Sequence, residues 1–252
     1  MKAVPPSLGF RNACEGMATR GPIRAVDAVG LVAALRGGDY EKDEFETTQA
    51  FWRRIGPKID GVLAKAGGEA DGTLVVTFPL DEALATYEAD KGILTIGNIA
   101  SRLLRLGRIV VDRDHGPSTY VSVSSNERRV GRYVGGNAFG ATTNVVKVER
   151  DVVGVAVPSY GRYFWPNEFT PIQARLAPHE ARAAKTALAV MMVGRLRAPF
   201  ILTWRDRDLP EFDNPVDRTT DIEVLNFAPD CAAVLDRSSG KILADIPLAD
   251  WQ

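Results

Sequence analysis

The sequence is poor in the residues that most often build metal centres. Its 252 residues include only two cysteines and two histidines. Cys14 and Cys231 lie far apart and form no CxxC pair, and a structural zinc site usually needs four ligands. We therefore predict no metal or other cofactor. The two cysteines are predicted to be free, buried thiols, with a single disulfide as the alternative in an oxidising compartment.

Long apolar runs and an excess of one charge are also absent. No stretch approaches the ~20 apolar residues of a membrane span. The first 22 residues contain prolines, glycines and arginines in place of a continuous apolar leader. A formal net charge of -1 argues against a whole surface built for nucleic acid or anionic lipid. These features predict a cytoplasmic protein, or a periplasmic one if a leader precedes this chain.

The periodic segments predict a single α+β domain. Residues 1–22 lack periodicity and are predicted to form a mobile tail. The domain then covers residues 23–252, with a helical part at 23–68 and a β-rich part at 69–252. In the β-rich part, short β-branched segments alternate with polar or glycine-containing turns. This spacing is typical of predominantly antiparallel sheet.

Helices are predicted both before and within the β-rich part. The N-terminal helices show apolar residues at three- and four-residue spacing, and Pro57 should kink the second helix or start another. One long helix is predicted at 178–197, against which the sheet packs. Pro178 and Glu180 suit its start, and arginines suit its end.

Three strings resemble stretches of a family of uncharacterised bacterial proteins. They are DEFETTQAFWRR at 43–54, ATYEADKGILTI at 85–96 and YVGGNAFGA at 133–141. In that family an EFETT helix start precedes a β-rich body that contains the NAFGA string. The resemblance covers a small part of the chain. It implies a bacterial source and a recurring fold, but no activity and no catalytic residue.

Aromatic residues crowd the segment 159–171, and they are the first candidate site. The residues are Tyr160, Tyr163, Phe164, Trp165 and Phe169. Aromatic side chains in a loop can anchor a partner because they bury much area at a small entropic cost. Such a segment can also close the open end of a sheet. The leading hypothesis is a non-catalytic binding or accessory protein for an unknown protein or small ligand.

Two alternative hypotheses use charged residues. Asp112, Asp114 and His115 could form a metal site or an acid–base pair of a hydrolase, although the same residues are typical of a turn. Central arginines, above all Arg128, Arg129 and Arg132, could bind an anionic polymer if the strands align them. Few aromatics lie among these arginines, which disfavours single-stranded nucleic acid as the polymer.

Two further segments are predicted to be connections. The glycine-rich string at 135–140 is followed by a β-branched segment, so it predicts a bulge or hairpin turn and no phosphate loop. The acidic segment at 205–217 contains two prolines and no glycine. It therefore lacks the sharp glycine turn of a calcium loop and is predicted to be a solvated connection.

Overall fold

The computed structural model describes Cys14 and residues 24–40, 42–69, 72–97, 104–109, 118–136, 139–158 and 171–246. The helices in these ranges are α1 (Ala28–Arg36), α2 (Thr48–Lys65) and α3 (Pro178–Ala187). The strands are β1 (Leu74–Pro79), β2 (Ala85–Glu88), β3 (Ile93–Ile96), β4 (Leu104–Ile109), β5 (Ser118–Gly136), β6 (Thr142–Pro158), β7 (Ile172–Arg175), β8 (Leu188–Asp208), β9 (Val216–Asp236) and β10 (Lys241–Ile246).

The strands form two sheets with mostly antiparallel pairing. The larger sheet has seven strands in the order β1-β8-β9-β6-β5-β4, with β10 paired to β9, and the smaller has the order β2-β3-β7. Only β6 and β9 pair in parallel among the strands described, through residues 146–156 and 216–226. The predicted mixture of helix with predominantly antiparallel sheet is confirmed, and the parallel pair was not anticipated.

The prediction of a long helix at 178–197 is wrong in its second half. The helix ends at Ala187, and Leu188 begins the 21-residue strand β8. Residues 188–193 are almost completely buried, and β8 pairs with β1 on one side and β9 on the other. An apolar run of this length fits a central strand buried on both faces as well as it fits a helix. The pairing of its neighbours decides between the two.

The start of this shorter helix follows the prediction. Pro178 is its first residue, and Glu180 accepts a 2.9 Å hydrogen bond from the backbone N–H of Ala177. Helix α2 runs through Pro57 without interruption, so Pro57 does not start a second helix, and the alternative of a kink stays a prediction. Thr47 caps it by accepting a hydrogen bond from the N–H of Ala50 at 3.2 Å.

The long strands form two hairpins that lie side by side. Strands β5 and β6 are 19 and 17 residues long, and β8 and β9 are both 21 residues long. The sequence predicted β5, β6 and β9 each as two shorter strands, and it predicted β8 as the end of the long helix followed by a short strand. Register shifts within the pairs, for example between Ser122 and Ser124, let the strands continue past irregular positions that resemble turns in sequence.

The larger sheet buries apolar side chains on both faces. On its helix face, Val190 and Leu225 pack in the cluster that contains residues of all three helices. On the opposite face, Met191 packs in a cluster with Cys14 and Cys231. These two cysteines form a disulfide with a Cα–Cα distance of 5.8 Å, so the prediction of free thiols is wrong. Sequence separation gave no sign that they meet.

Candidate functional site

Two of the three candidate sites predicted from the sequence lie outside the described residues. These are the aromatic set, Tyr160, Tyr163, Phe164, Trp165 and Phe169, and the acidic set with its histidine, Asp112, Asp114 and His115. Both remain predictions. The third set, Arg128, Arg129 and Arg132, lies on β5, in the part of the larger sheet that extends beyond the helices.

We call this part the distal sheet and define it as residues 124–136, 142–153, 203–208 and 216–223. Helix α1 ends at its border, where Arg36 forms an ion pair with Glu223 of β9. The distal sheet has four strands, in the order β8-β9-β6-β5. Most of its side chains are exposed or half-buried, in contrast to the apolar rows of the same strands beneath the helices.

Ion pairs link the strands across the helix face of the distal sheet. Arg128 of β5 donates to Glu149 at 2.6 Å and to Asp151 at 2.7 Å, both on β6. Arg205 of β8 binds Asp221 of β9 through two hydrogen bonds of 2.6 and 3.0 Å. The hydrogen bonds from Arg205 lower the pKa of the Asp221 carboxyl. Opposite charges on facing strands stabilise the pairing and keep the face soluble.

Asp217 is the buried centre of a cluster that contains one side chain from each of the four strands. It is 5% exposed and accepts two hydrogen bonds from Arg207, at 3.1 and 3.0 Å, and one from the Tyr133 hydroxyl at 3.3 Å. Lys147 lies 5.4 Å from the centre of the Tyr133 ring. The Arg207 guanidinium lowers the pKa of Asp217, although burial opposes this effect. The predicted solvated connection thus contains a buried carboxylate.

The opposite face of the distal sheet has fewer ion pairs. Arg218 contacts Glu127 at 3.2 Å and Asp208 at 3.4 Å. Arg129 and Arg132 are exposed on the edge strand β5, and neither forms an ion pair with another described residue. Only Arg128 of the predicted anion-binding set is neutralised by neighbouring carboxylates.

Large apolar side chains are exposed where the two hairpins end. We call these four residues the apolar end: Val134 is 68% exposed, Phe139 95%, Leu209 68% and Phe212 61%. Val134 and Phe139 belong to the β5–β6 hairpin, and Leu209 and Phe212 lie in the connection between β8 and β9. Single exposed apolar residues are common, but a group of them on one projecting element is typical of an interaction surface.

The two hairpin ends are held against one another. The backbone N–H of Val146 donates to the carbonyl of Pro215 at 2.9 Å, just before the parallel pairing of β6 with β9 begins. Between the ends lies a concavity of about 160 Å³. Its walls include Gly135, Gly136, Ala141 and Val145 from one hairpin and Pro210 and Phe212 from the other. The wall of the first hairpin is built largely from small residues.

A wider groove of about 730 Å³ lies where α1 meets the distal sheet. Its charged lining includes Arg36 with Glu223 and Arg205 with Asp221, and both arginines are paired within the protein. A ligand would have to compete with these internal partners. The groove is therefore a weaker candidate than the apolar end.

Metal chemistry finds no support in the described part of the chain. No three His, Cys, Asp or Glu side chains of that part come together as a metal site would require. Within the same ranges no helix combines the length and apolar character needed to cross a membrane.

The glycine-rich string at 135–140 was predicted to form a bulge or hairpin turn, but Phe139 within it was not predicted as a binding residue. The turn itself is confirmed, since Gly136 pairs with Thr142 and Gly140 has a φ of 82°. The positions of two phenylalanines in the sequence could have indicated the apolar end. Phe139 and Phe212 both lie in short connections rich in glycine, proline, asparagine or acidic residues, where a large aromatic side chain has little core to enter.

Comparison of the chain with protein-family models, with curated proteins and with solved structures finds no match. The function therefore has to be argued from the geometry of the distal sheet.

Proposed function

We propose that the protein is a non-catalytic binding protein that holds its partner at the apolar end of the distal sheet. The observation that carries the proposal is the exposure of Val134, Phe139, Leu209 and Phe212 on two adjoining hairpins. Aromatic and aliphatic anchors of this kind supply most of the energy of protein interfaces when a partner covers them. The ion pair of Arg218 with Glu127 and the hydrogen bond from Tyr133 to Asp217 join the two hairpins beneath these residues and so preorganise the surface.

The edges of the distal sheet are less suited to binding than its end. Edge strands capture other strands unless charges or bulges prevent it. The edge formed by β8 carries alternating charges, from Arg205 to Asp208, and the edge formed by β5 has a register shift between Arg129 and Gly131. Both devices disfavour strand addition, which leaves the apolar end as the favoured docking surface.

The disulfide supports an oxidising compartment as the place where the protein works. Disulfides persist in secreted and periplasmic proteins and are rare in the cytosol. The Cys14–Cys231 bond thus favours export over the cytoplasmic location predicted from the sequence. This part of the proposal is tested by locating the oxidised protein in fractionated cells. Recovery of the reduced form in the cytoplasm would contradict it.

Site-specific photocrosslinking tests the binding surface. A photoreactive phenylalanine analogue is placed at position 139 or 212 of the full chain, and irradiation is carried out in the cells that make the protein. Position 45 is the matched control, because Phe45 is 88% exposed but precedes α2 in the helical part. We expect adducts at 139 and 212 that exceed those at 45 at least about tenfold, as for a specific interface. Equal yields at the three positions would contradict the proposal.

A further inference from the structure

The ends of the two hairpins carry opposite charges. Residues 128–148, which form the end of the β5–β6 hairpin, contain Arg128, Arg129, Arg132 and Lys147 and no acidic residue. Residues 208–217, which form the end of the β8–β9 hairpin, contain Asp208, Glu211, Asp213 and Asp217 and no basic residue. The chain as a whole has a net charge of only -1, so this separation is a local feature of the distal sheet.

Part of this charge is not used inside the molecule. Arg128, Asp208 and Asp217 form ion pairs within the distal sheet. The remaining basic residues are Arg129, Arg132 and Lys147, of which Lys147 lies over the Tyr133 ring in the Asp217 cluster. The remaining acidic residues are Glu211 and Asp213. None of these five forms an ion pair with another residue in the described ranges, and all are exposed. Each hairpin end therefore has charged side chains of one sign without an ionic partner in the described ranges, and each contains an exposed phenylalanine.

The concavity between the hairpin ends has the size of one aromatic ring. Its volume is about 160 Å³, and it is open to solvent, with Thr143 and Glu211 among its mostly apolar lining. An enclosed apolar protein cavity of roughly 150 Å³ is large enough to bind benzene, so one aromatic ring fits in this volume. The side chain of Phe139 is 95% exposed at the same end of the molecule. An aromatic side chain and a receptor of matching size thus lie side by side on one surface.

We propose that the partner at the apolar end is a second copy of this chain, bound end to end about a two-fold axis, with Phe139 of each copy in the concavity of the other. A two-fold interface is self-complementary, and an axis that passes between the two hairpin ends places the basic end of each copy against the acidic end of the other. An anionic membrane would attract the first end and repel the second. This inference rests on the proposed function, because it names the partner of the same surface.

The interface is small, which sets the expected strength of the dimer. Each aromatic side chain can bury roughly 150–250 Å², and the apolar end of one copy contains two of them. The area contributed by each copy is therefore below the roughly 800 Å² of a standard interface. We expect a reversible dimer with a dissociation constant on the order of micromolar.

Charge exchange between two variants tests the arrangement by sedimentation equilibrium of the full, oxidised chain. The first variant, Arg129→Glu with Arg132→Glu, makes the unpaired charge of both hairpin ends net acidic. The second, Glu211→Arg with Asp213→Arg, makes the unpaired charge of both ends net basic. Each variant alone should dimerise at least about tenfold more weakly than the wild type. An equimolar mixture should dimerise again, because every contact then joins opposite charges. Misfolding would not be reversed by mixing.

A substitution at Phe139 tests the proposed dimer in a second, independent way. Phe139→Ser should weaken the dimer about tenfold or more, whereas Phe45→Ser should leave the dissociation constant unchanged. Charge variants that dimerise as the wild type does, or a mixture that stays monomeric, would overturn the two-fold arrangement. A wild type that is monomeric but forms crosslinks to another protein or to lipid through position 139 would overturn the dimer and leave the proposed function standing. Absence of both dimer and crosslinks would overturn both.

Discussion

The two ends of strand β8 lie in different halves of the larger sheet and differ in burial and charge. At one end, Leu188–Val193 is at most 2% exposed and lies between β1 and β9. At the other end, residues 205–208 alternate between positive and negative charge and are exposed. The change occurs near the ion pair of Arg36 with Glu223, where α1 ends. We call the part of the larger sheet outside the distal sheet, which packs against the helices, the proximal half. Packing determines the residues of the proximal half, whereas ion pairing and solubility determine those of the distal sheet.

This difference bears on how the two halves are stabilised. Burial of apolar area stabilises the proximal half, at about 25 cal/mol for each Å² removed from water. Exposed ion pairs contribute little each, so the distal sheet depends on backbone pairing and on its few buried groups, notably Val145, Val148 and Asp217. A sheet extension with so little core is consistent with a role in binding. The following changes probe that contrast.

The largest effect is expected from a substitution in the proximal core. Phe227 is fully buried on the helix face, and Phe227→Ala should lower the free energy of unfolding by about 3–5 kcal/mol. Urea denaturation followed by circular dichroism measures it. The matched variant is Phe139→Ala at the apolar end, which should change that free energy by less than about 0.5 kcal/mol. Similar losses for the two variants would show that the halves do not differ as described.

The second-largest loss of stability is expected on removal of the disulfide, which lies on the face of the larger sheet opposite the helices. Cys14→Ser with Cys231→Ser removes a crosslink that spans 217 residues of sequence. The loss of this constraint on the unfolded chain should lower the free energy of unfolding by about 2–5 kcal/mol. The urea midpoint of the oxidised wild type is compared with that of the double variant and of the reduced wild type. The double variant and the reduced wild type should have the same urea midpoint, below that of the oxidised wild type. If both midpoints equalled that of the oxidised wild type, the bond would have no stabilising role.

A smaller effect is expected at the buried carboxylate of the distal sheet. Asp217→Asn removes the charge that accepts from Arg207 and Tyr133, and it should lower the free energy of unfolding by about 1–3 kcal/mol. Asp213→Asn is the control, because Asp213 is exposed in the nearby connection. In Asp217→Asn, amide hydrogen exchange should become faster than in the wild type across the distal strands and should change less in the proximal half. Uniform exchange changes over both halves would contradict a local role.

The contribution of Asp217 should also depend on pH. Its pKa is lowered from the usual value of 3.8, chiefly by the hydrogen bonds from Arg207. A carboxyl with a lowered pKa in the folded state contributes stability that is fully present above its unfolded pKa and is lost as the pH falls through the folded value. The difference between wild type and Asp217→Asn should thus be constant near neutrality and shrink below about pH 4. A difference that grows on acidification would contradict the pairing.

Local features of the fold could be predicted well because they depend on a few neighbouring residues. Gly92 and Gly240 have φ values of 64° and 72°, which glycine adopts without strain, and they lie in glycine-containing turns of the kind that the sequence predicts between β-branched segments. The start of α3 at Pro178 is also where the sequence placed it. Its end could not be predicted, because the apolar residues from Leu188 onward have a pattern that is compatible with either helix or strand.

The candidate site could be predicted only in part. The arginines of β5 were recognised, but whether each is neutralised depends on residues far along the chain, such as Glu149 and Asp151 for Arg128. The burial of Asp217 likewise requires Tyr133, which lies 84 positions away in the sequence. Pairings at such separations leave no periodic signal in a single sequence.

The sequence by itself determined the turns at Gly92 and Gly240 and the start of α3. It also determined that antiparallel strands dominate and that opposite charges separate into residues 128–148 and 208–217. Tertiary structure alone decided that β6 and β9 pair in parallel, and this pairing brings the two hairpin ends together. Turns and caps follow from local backbone preferences and hydrogen bonds. The register between distant strands follows from the burial of whole faces of the sheet, and that burial is known only once the chain has folded.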